Sequence, residues 1–224
     1  MKVAFLTTIF PMPQEYLLDF FNSLQNQSYK EFDIVVVNDG YKEFELIRDK
    51  YRVLSIIELP YQNTPAKNRE YGINYCIDKG YNILIFGDSD DYFASNRIEK
   101  SIELLADYDI VVNDFDLFAE NGIYEQKYIS NRVKNNSSIE ASFIEDKNIL
   151  GLSNTALNLS ILKNRVVFEK DLVAVDWFLF KSLLRDGKKA IFTNEAISFY
   201  RQHLDSIVGL QKKDGKYYLW WERR

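Results

Sequence analysis

Cysteine and histidine are nearly absent from this chain of 224 residues, which has one of each, Cys76 and His203. A single cysteine excludes an internal disulfide and any cysteine-based zinc site. Cys76 falls on an apolar helical face and reads as core. A single histidine restricts any imidazole mechanism to His203 and excludes a histidine pair. Positive charge is also scarce, 28 Lys and Arg against 33 Asp and Glu, for a net charge of −5. That argues against nucleic acid as a partner, which needs a basic footprint, but leaves room for a local basic pocket. No apolar run approaches the ~20 residues of a membrane span. The opening segment Met1–Thr8 lacks the long apolar core and cleavage site of a signal peptide. A cytoplasmic protein is the expectation. No repeat, low-complexity tract or clear linker divides the chain, so residues 1–224 read as one domain.

What is present is apolar bulk, 46% hydrophobic and 15% aromatic, enough for a large core. The most informative stretch runs from Ile83 to Asp91. Ile83-Leu84-Ile85-Phe86 reads as a strand buried on both faces, as in a parallel sheet covered by helices. Gly87 frees the backbone for a sharp exit, and Asp88, Asp90 and Asp91 follow. In open α/β sheets ligands sit beyond the carboxyl ends of the strands, so these acids fall where chemistry is expected. On an extended backbone Asp88 and Asp90 would point to one side. Hard oxygen donors at that spacing suit Mg²⁺ or Mn²⁺. The competing reading is a solvated acidic turn with a helix cap.

The rest of the first half alternates strand and helix. Residues 2–9 predict a strand, and Pro11 and Pro13 lead into a helix carrying Leu17, Phe20, Phe21 and Leu24 on one face. Residues 34–37 predict a second strand ending in the turn Asn38-Asp39-Gly40. A helix over 42–50 and a strand over 53–59 follow. After a loop, Arg69 opens or precedes a helix with Ile73, Cys76 and Ile77 inward, closed by Gly80. Ser95 is a candidate N-cap for a helix with Ile98, Ile102 and Leu105 inward, and residues 109–112 predict a fifth strand. This pattern implies an α/β fold with a mostly parallel central sheet flanked by helices. Beyond it the signals thin out. Asn121-Gly122 marks a hairpin, and Asn135–Ser138 is the candidate flexible tip. Residues 149–162 read as strand or loop and then helix, 175–185 as a helix ending at Gly187, and 190–193 as a short strand. The aromatic tail, Tyr217 to Arg224, would suit a lipid interface if it forms a surface helix, and core packing is the alternative.

Several of these pieces, taken in order, resemble a known family: Tyr16 through Gly40 with Ser23-Leu24-Gln25-Asn26-Gln27-Ser28-Tyr29 between, Arg69, Phe86-Gly87-Asp88-Ser89-Asp90-Asp91, Val175-Asp176-Trp177, and Tyr200-Arg201-Gln202-His203-Leu204-Asp205-Ser206. The chain is similar to the family-two inverting glycosyltransferases of the GT-A fold, well over 2–112 and in patches over 150–206. The resemblance implies a nucleotide-sugar donor, usually a UDP-sugar, with Mn²⁺ or Mg²⁺ on its diphosphate. It also implies a glycan or lipid-linked acceptor and a place at the inner face of the membrane. Residues 1–112 would form the nucleotide-sugar half and 113–224 the acceptor half. Thr7 and Thr8 would line the nucleotide pocket, Asp39 would bond the base or ribose, and Arg69 would face the base or diphosphate. Asp88 and Ser89 would meet the donor. Asp88 and Asp90 would hold the metal, Asp90 favoured as direct ligand and His203 as a further one. Asp176 would be the catalytic base. The sequence departs from the family pattern in three places. Asn38 stands where a second acid is common, Glu70 follows Arg69, and Val175 precedes Asp176 where another acid is frequent.

Each assignment has a plainer rival. Asp39 would also serve a turn, Arg69 a surface ion pair, Asp176 a favourable charge at a helix start, and His203 a structural bond. Asp91 reads as a cap or support rather than a ligand. Two other functions remain, a non-catalytic nucleotide-sugar or glycan-binding module and a sugar nucleotidyltransferase. The second wants a glycine-rich, Arg-containing loop after the first strand, and residues 7–15 contain no glycine.

Overall fold

The structure, a computed structural model, describes residues 1–119, 122–202, 211–213 and 216–218. The chain runs β1 (Val3–Ile9), α1 (Gln14–Gln25), β2 (Asp33–Asn38), α2 (Phe44–Lys50), β3 (Ser55–Pro60), α3 (Pro65–Asp78), β4 (Ile83–Phe86), β5 (Tyr92–Phe93), α4 (Arg97–Leu104) and β6 (Ile110–Ala119). It continues through β7 (Gly122–Glu125), β8 (Ser138–Ile139), β9 (Thr155–Asn158), a 3₁₀ turn at Leu159–Ile161, α5 (Val175–Arg185) and β10 (Ala190–Arg201). A separate antiparallel pair, β11 (Gln211–Lys213) and β12 (Lys216–Tyr218), follows.

The main sheet has the order β3-β2-β1-β4-β9-β6-β10-β5. β1, β2, β3, β4, β6 and β10 point one way, and β9 and β5 oppose them. The sheet is therefore mixed but mostly parallel, as the alternating pattern implies. Side chains alternate between two cores, as the pleat requires. Ala4, Leu6, Val35, Val37, Leu84 and Phe86 face the layer of α3 and α5. Val3, Phe5, Ile34, Val36, Ile83 and Ile85 face the layer of α1, α2 and α4. Strands buried on both faces explain why the sequence shows unbroken apolar runs here. Cys76 is fully buried in the first core, and burial pushes its thiol up to about 12. From β1 the chain moves outward to β2 and β3, then returns to the other side of β1 with β4. In open α/β sheets such a reversal marks the crevice where ligands bind, which here falls beyond the carboxyl ends of β1 and β4.

Several boundaries differ from the sequence reading. α3 starts at Pro65, so Arg69 lies in its second turn. Asn96, not Ser95, precedes α4. β6 runs on to Ala119, because Asn113, Asp114 and Asp116, polar enough to end an apolar pattern, are nonetheless buried. Asp114 takes hydrogen bonds from the backbone N–H groups of Phe115 and Ile129 and from the Ser130 hydroxyl, and Asp116 takes one from the N–H of Lys127. β10 is twelve residues long rather than four, carried past Asn194-Glu195 by a register shift between Thr193 and Ile197. The expected flexible tip at Asn135–Ser138 is instead stitched to β10. Asn136 N–H donates to the Phe192 carbonyl, and Asn135 Oδ1 accepts from Asn194 N–H. β6 and β7 pair antiparallel with Ala119 opposite Gly122, the hairpin that Asn121-Gly122 signals. Val175–Arg185 matches the expected helix, and Gly187 ends it at φ +78°. Leu219–Arg224 of the aromatic tail lies outside the described residues, and among the described residues no helix is long and apolar enough to cross a membrane.

Candidate active site

β4 ends beneath the rings of Phe5 and Phe93. A Cβ on Gly87 would sit 2.5 Å from Phe5 and 2.7 Å from Phe93, so close approach, more than freedom of φ, requires glycine here. The chain then folds into a turn, with Asp91 N–H donating to the Asp88 carbonyl at 3.2 Å. The acids are thus presented by a turn and not by an extended segment, because Asp91 is drawn inward. Asp91 is fully buried, takes a bond from Arg201 N–H at 2.7 Å, and meets the Ser153 hydroxyl in a short contact. Burial, then the charges of Asp90 and Asp88, hold its carboxyl well above the usual range. Ser153 also accepts from Asp88 N–H at 3.0 Å and lies 3.2 Å from the Asp88 carboxylate. Below, Arg97 is fully buried and donates to Asn113 Oδ1 at 3.0 Å, with its guanidinium 4.3 Å from the Phe93 ring centre. Burial lowers its pKa to about 9, against the opposing pull of Asp91 and Asp88.

Arg69 approaches Asp88 and acts on Asp176 through its charge. Its guanidinium lies 3.5 Å from Asp88 Oδ1, and its charge lowers the proton affinity of both Asp88 and Asp176. Burial nevertheless dominates at each carboxylate and raises both above the ordinary value. Asp88 keeps 36% of its side-chain surface, so it is half-buried rather than part of a core. Asp176 occupies the first turn of α5 and accepts from Trp177 N–H at 2.8 Å. The Asn148 side chain also bonds it and lowers its proton affinity. Glu70, which would repel a diphosphate, turns away to Lys67 at 2.8 Å and Phe168 N–H at 2.6 Å.

On the β1–β2 side, Asp39 N–H donates to the Ile9 carbonyl at 2.8 Å, and its carboxylate accepts from Asn68 Nδ2 at 2.8 Å. Asn38 works instead for the turn and for β3, bonding Tyr41 and Glu58. An acid at position 38 would meet Glu58, so asparagine belongs there. Gly40 has φ +86°, a conformation that favours glycine. Thr7 and Thr8 fall on opposite faces of β1. Thr8 is half-buried. Thr7 is 3% exposed, and its hydroxyl, like Asn68 Oδ1, has no hydrogen-bond partner among the described residues. Ser89 lies within the acidic turn. It is 2% exposed and its hydroxyl donates to the Thr8 carbonyl at 2.8 Å, clipping the acidic turn to β1.

The structure therefore gathers Arg69, Asp88 and Asp176, with Asp90 in the same field. His203 lies outside the described residues. Among the described residues no group of three His, Cys, Asp or Glu side chains is arranged to hold a metal by itself. The donor set fits a hard cation nonetheless, since Mg²⁺ and Mn²⁺ need only one or two carboxylates beside substrate phosphates. Asp88 is raised by burial first, and the charges of Asp90 and Asp176 push the same way against Arg69, so a cation there would meet several acids. Sequence reasoning missed Asn68, Asn148 and Ser153, which are uncharged and lie in no motif. A surface hollow of about 480 Å³ behind the turn, between α1 and β5, is lined by none of the residues assigned from sequence.

Residues 9–160, more than half of the chain, match the model of glycosyl transferase family 2. The chain is similar to the glycosyltransferase GlyA of Streptococcus pneumoniae serotype 4, 25% identical over 223 residues, covering 90% of this chain and 31% of that protein. It is 27% identical over 119 residues to an uncharacterized glycosyltransferase of Haemophilus influenzae, covering 50% of this chain and 46% of that one. The chain thus spans under half the length of these curated relatives. Among solved structures, S. aureus TarS 1–349 in complex with UDP-GlcNAc superposes with a TM-score of 0.72 at 19% identity, over 91% of this chain and 59% of that one. GalNAc-T7 with UDP, GalNAc and Mn²⁺ gives 0.65 at 12% identity, over 91% and 44%. Both place this chain in the GT-A fold.

Proposed function

Since the chain belongs to glycosyl transferase family 2, we propose that it moves a sugar from a nucleotide-sugar, a UDP-sugar by preference, to an acceptor hydroxyl by a single inverting displacement. Asp176 takes the proton of the acceptor hydroxyl as that oxygen attacks the anomeric carbon, and the bond from that carbon to the diphosphate breaks. A base held near 3 Å from the hydroxyl contributes about 10²–10⁴ in rate. A carboxyl whose proton affinity is raised by burial is a stronger base than a solvated one, which suits this role. Asp88 and Asp90 would hold Mn²⁺ or Mg²⁺, and His203 is a further candidate. When bound, the cation supplies Lewis-acid stabilisation of the departing diphosphate.

Arg69 adds fixed positive charge on the same side. Asp39 and Thr8 receive the nucleoside. Asn68 orients Asp39, while Thr7 and Ser89 support the pocket from below. The acceptor is a glycan or lipid-linked glycan approaching from the 113–224 half, at the cytoplasmic face of the membrane. The observation that carries the reading is the Arg69 guanidinium 3.5 Å from Asp88 Oδ1, with its charge also lowering the proton affinity of Asp176. The named complexes of the structural neighbours, with UDP-GlcNAc and with UDP, GalNAc and Mn²⁺, support the donor and metal classes. The test is a screen of nucleotide sugars for release of nucleoside diphosphate. One donor should be turned over with Mn²⁺ or Mg²⁺ and not with EDTA, and metal-independent turnover of that donor would count against the metal role.

A further inference from the structure

Arg201 is the last residue of β10, and its side chain is 13% exposed. Its backbone N–H donates to Asp91 Oδ1 at 2.7 Å. Its Nε donates to the Asp90 carbonyl at 2.7 Å, and the other arm of the fork donates to Asp19 Oδ2 on α1 at 2.6 Å. The guanidinium is also stacked 4.2 Å from the Tyr16 ring centre and 4.5 Å from that of Phe118 on β6. One residue therefore ties α1, β6 and β10 to two successive residues of the acidic turn.

We propose that Arg201 is a positioning residue that holds the Asp90 peptide, and through it the Asp90 carboxylate, in the geometry that receives the metal–diphosphate. This rests on the reading of Asp90 as a metal ligand. Asp88 and Asp90 repel one another, and a turn bearing them opens unless its backbone is tied down. A metal site works only when its ligands are held to within about 0.5 Å, by neighbours that are themselves locked. Arg201 meets both needs. Its planar fork reaches two acceptors at once, a main-chain carbonyl of the turn and a carboxylate on a helix, and aromatic rings fix its plane. Lysine has one ammonium at the end of a flexible stem and does not span both with fixed geometry.

The test measures UDP affinity by calorimetry, with Mn²⁺ and with EDTA, alongside thermal melting, in the wild type, Arg201→Met, Arg201→Lys, Asp19→Asn and Asp90→Asn. Arg201→Met should keep the EDTA affinity within about twofold and lose about tenfold of the Mn²⁺-supported gain, the scale of residues that orient metal ligands. Arg201→Lys should lose less, and Asp19→Asn only a few-fold, with its melting unchanged. An intact Mn²⁺ gain in folded Arg201→Met, together with its loss in Asp90→Asn, overturns the positioning role alone. An intact gain in Asp90→Asn overturns the reading of the turn on which it rests. If Arg201→Met does not fold, Asp19→Asn decides, since it changes an exposed end of the fork. No loss of Mn²⁺ gain there overturns the proposal.

Discussion

At the scale of single residues, the site is a set of acids whose charges are only partly matched. Asp176 is raised above the ordinary 3.8 by burial, against the pull of Trp177 N–H and Arg69. Its base form is populated only above that raised value. With a donor present, kcat/KM should therefore fall as pH drops through a range above 3.8, and Asp176→Asn should bind UDP normally while losing transfer. Normal turnover in that variant removes the base assignment. Asp91 gives a stability test of the same logic. Its folded-state proton affinity is raised, so its contribution is full below the unfolded value near 3.8 and is lost as pH rises through the folded value. Asparagine mimics the protonated form, accepting from Arg201 and donating to Ser153. The melting temperature of Asp91→Asn relative to the wild type should therefore climb as pH goes from acid toward neutral. A constant or declining difference would contradict the raised proton affinity of Asp91 in the fold.

At the scale of elements, α3 serves both halves of the crevice, with Asn68 behind Asp39 and Arg69 beside Asp88. Its seat on the sheet depends on Gly72, where a Cβ would lie 2.6 Å from Leu6 and 3.0 Å from Val37. Gly72→Ala should cost about 1–3 kcal/mol in urea unfolding, as overpacking does. By lifting the helix, it should also raise the KM for donor more than it lowers kcat. A fully stable variant with unchanged KM would show that the helix is not so held. The elements whose apolar period is unbroken, β1, α1, β2, β4 and α5, are legible in the sequence within a residue or two. Those whose buried faces carry Asn113, Asp114 and Asp116, or whose register shifts at Asn194-Glu195, are not. Hydropathy cannot register a buried acid satisfied by amides some fifteen residues away. The start of α3 was hidden for a different reason. Pro65 reads as loop, although proline is well tolerated in the first turn of a helix.

At the scale of the molecule, one sheet joins residues 1–112 to the rest, because β9 lies between β4 and β6 and pairs antiparallel with both. The charged members of the candidate site, Arg69, Asp88, Asp90 and Asp176, stand out in the sequence by residue type, order and family resemblance, and Arg69 and Asp88 meet in the fold. Their support by Ser153, Asn148 and Arg201 comes from distant segments and shows only in three dimensions. The chain covers 31% and 46% of its curated relatives, so acceptor choice can depend on more than these residues. Donor binding is the property to test in them directly. The decisive measurement is the affinity of the purified chain for UDP in Mn²⁺ and in EDTA, compared with Asp88→Asn. Binding that is about tenfold or more tighter in Mn²⁺, with the difference abolished by Asp88→Asn, is the predicted result. Equal affinity in Mn²⁺ and EDTA would contradict the claim that the acidic turn holds the cation of a departing nucleotide.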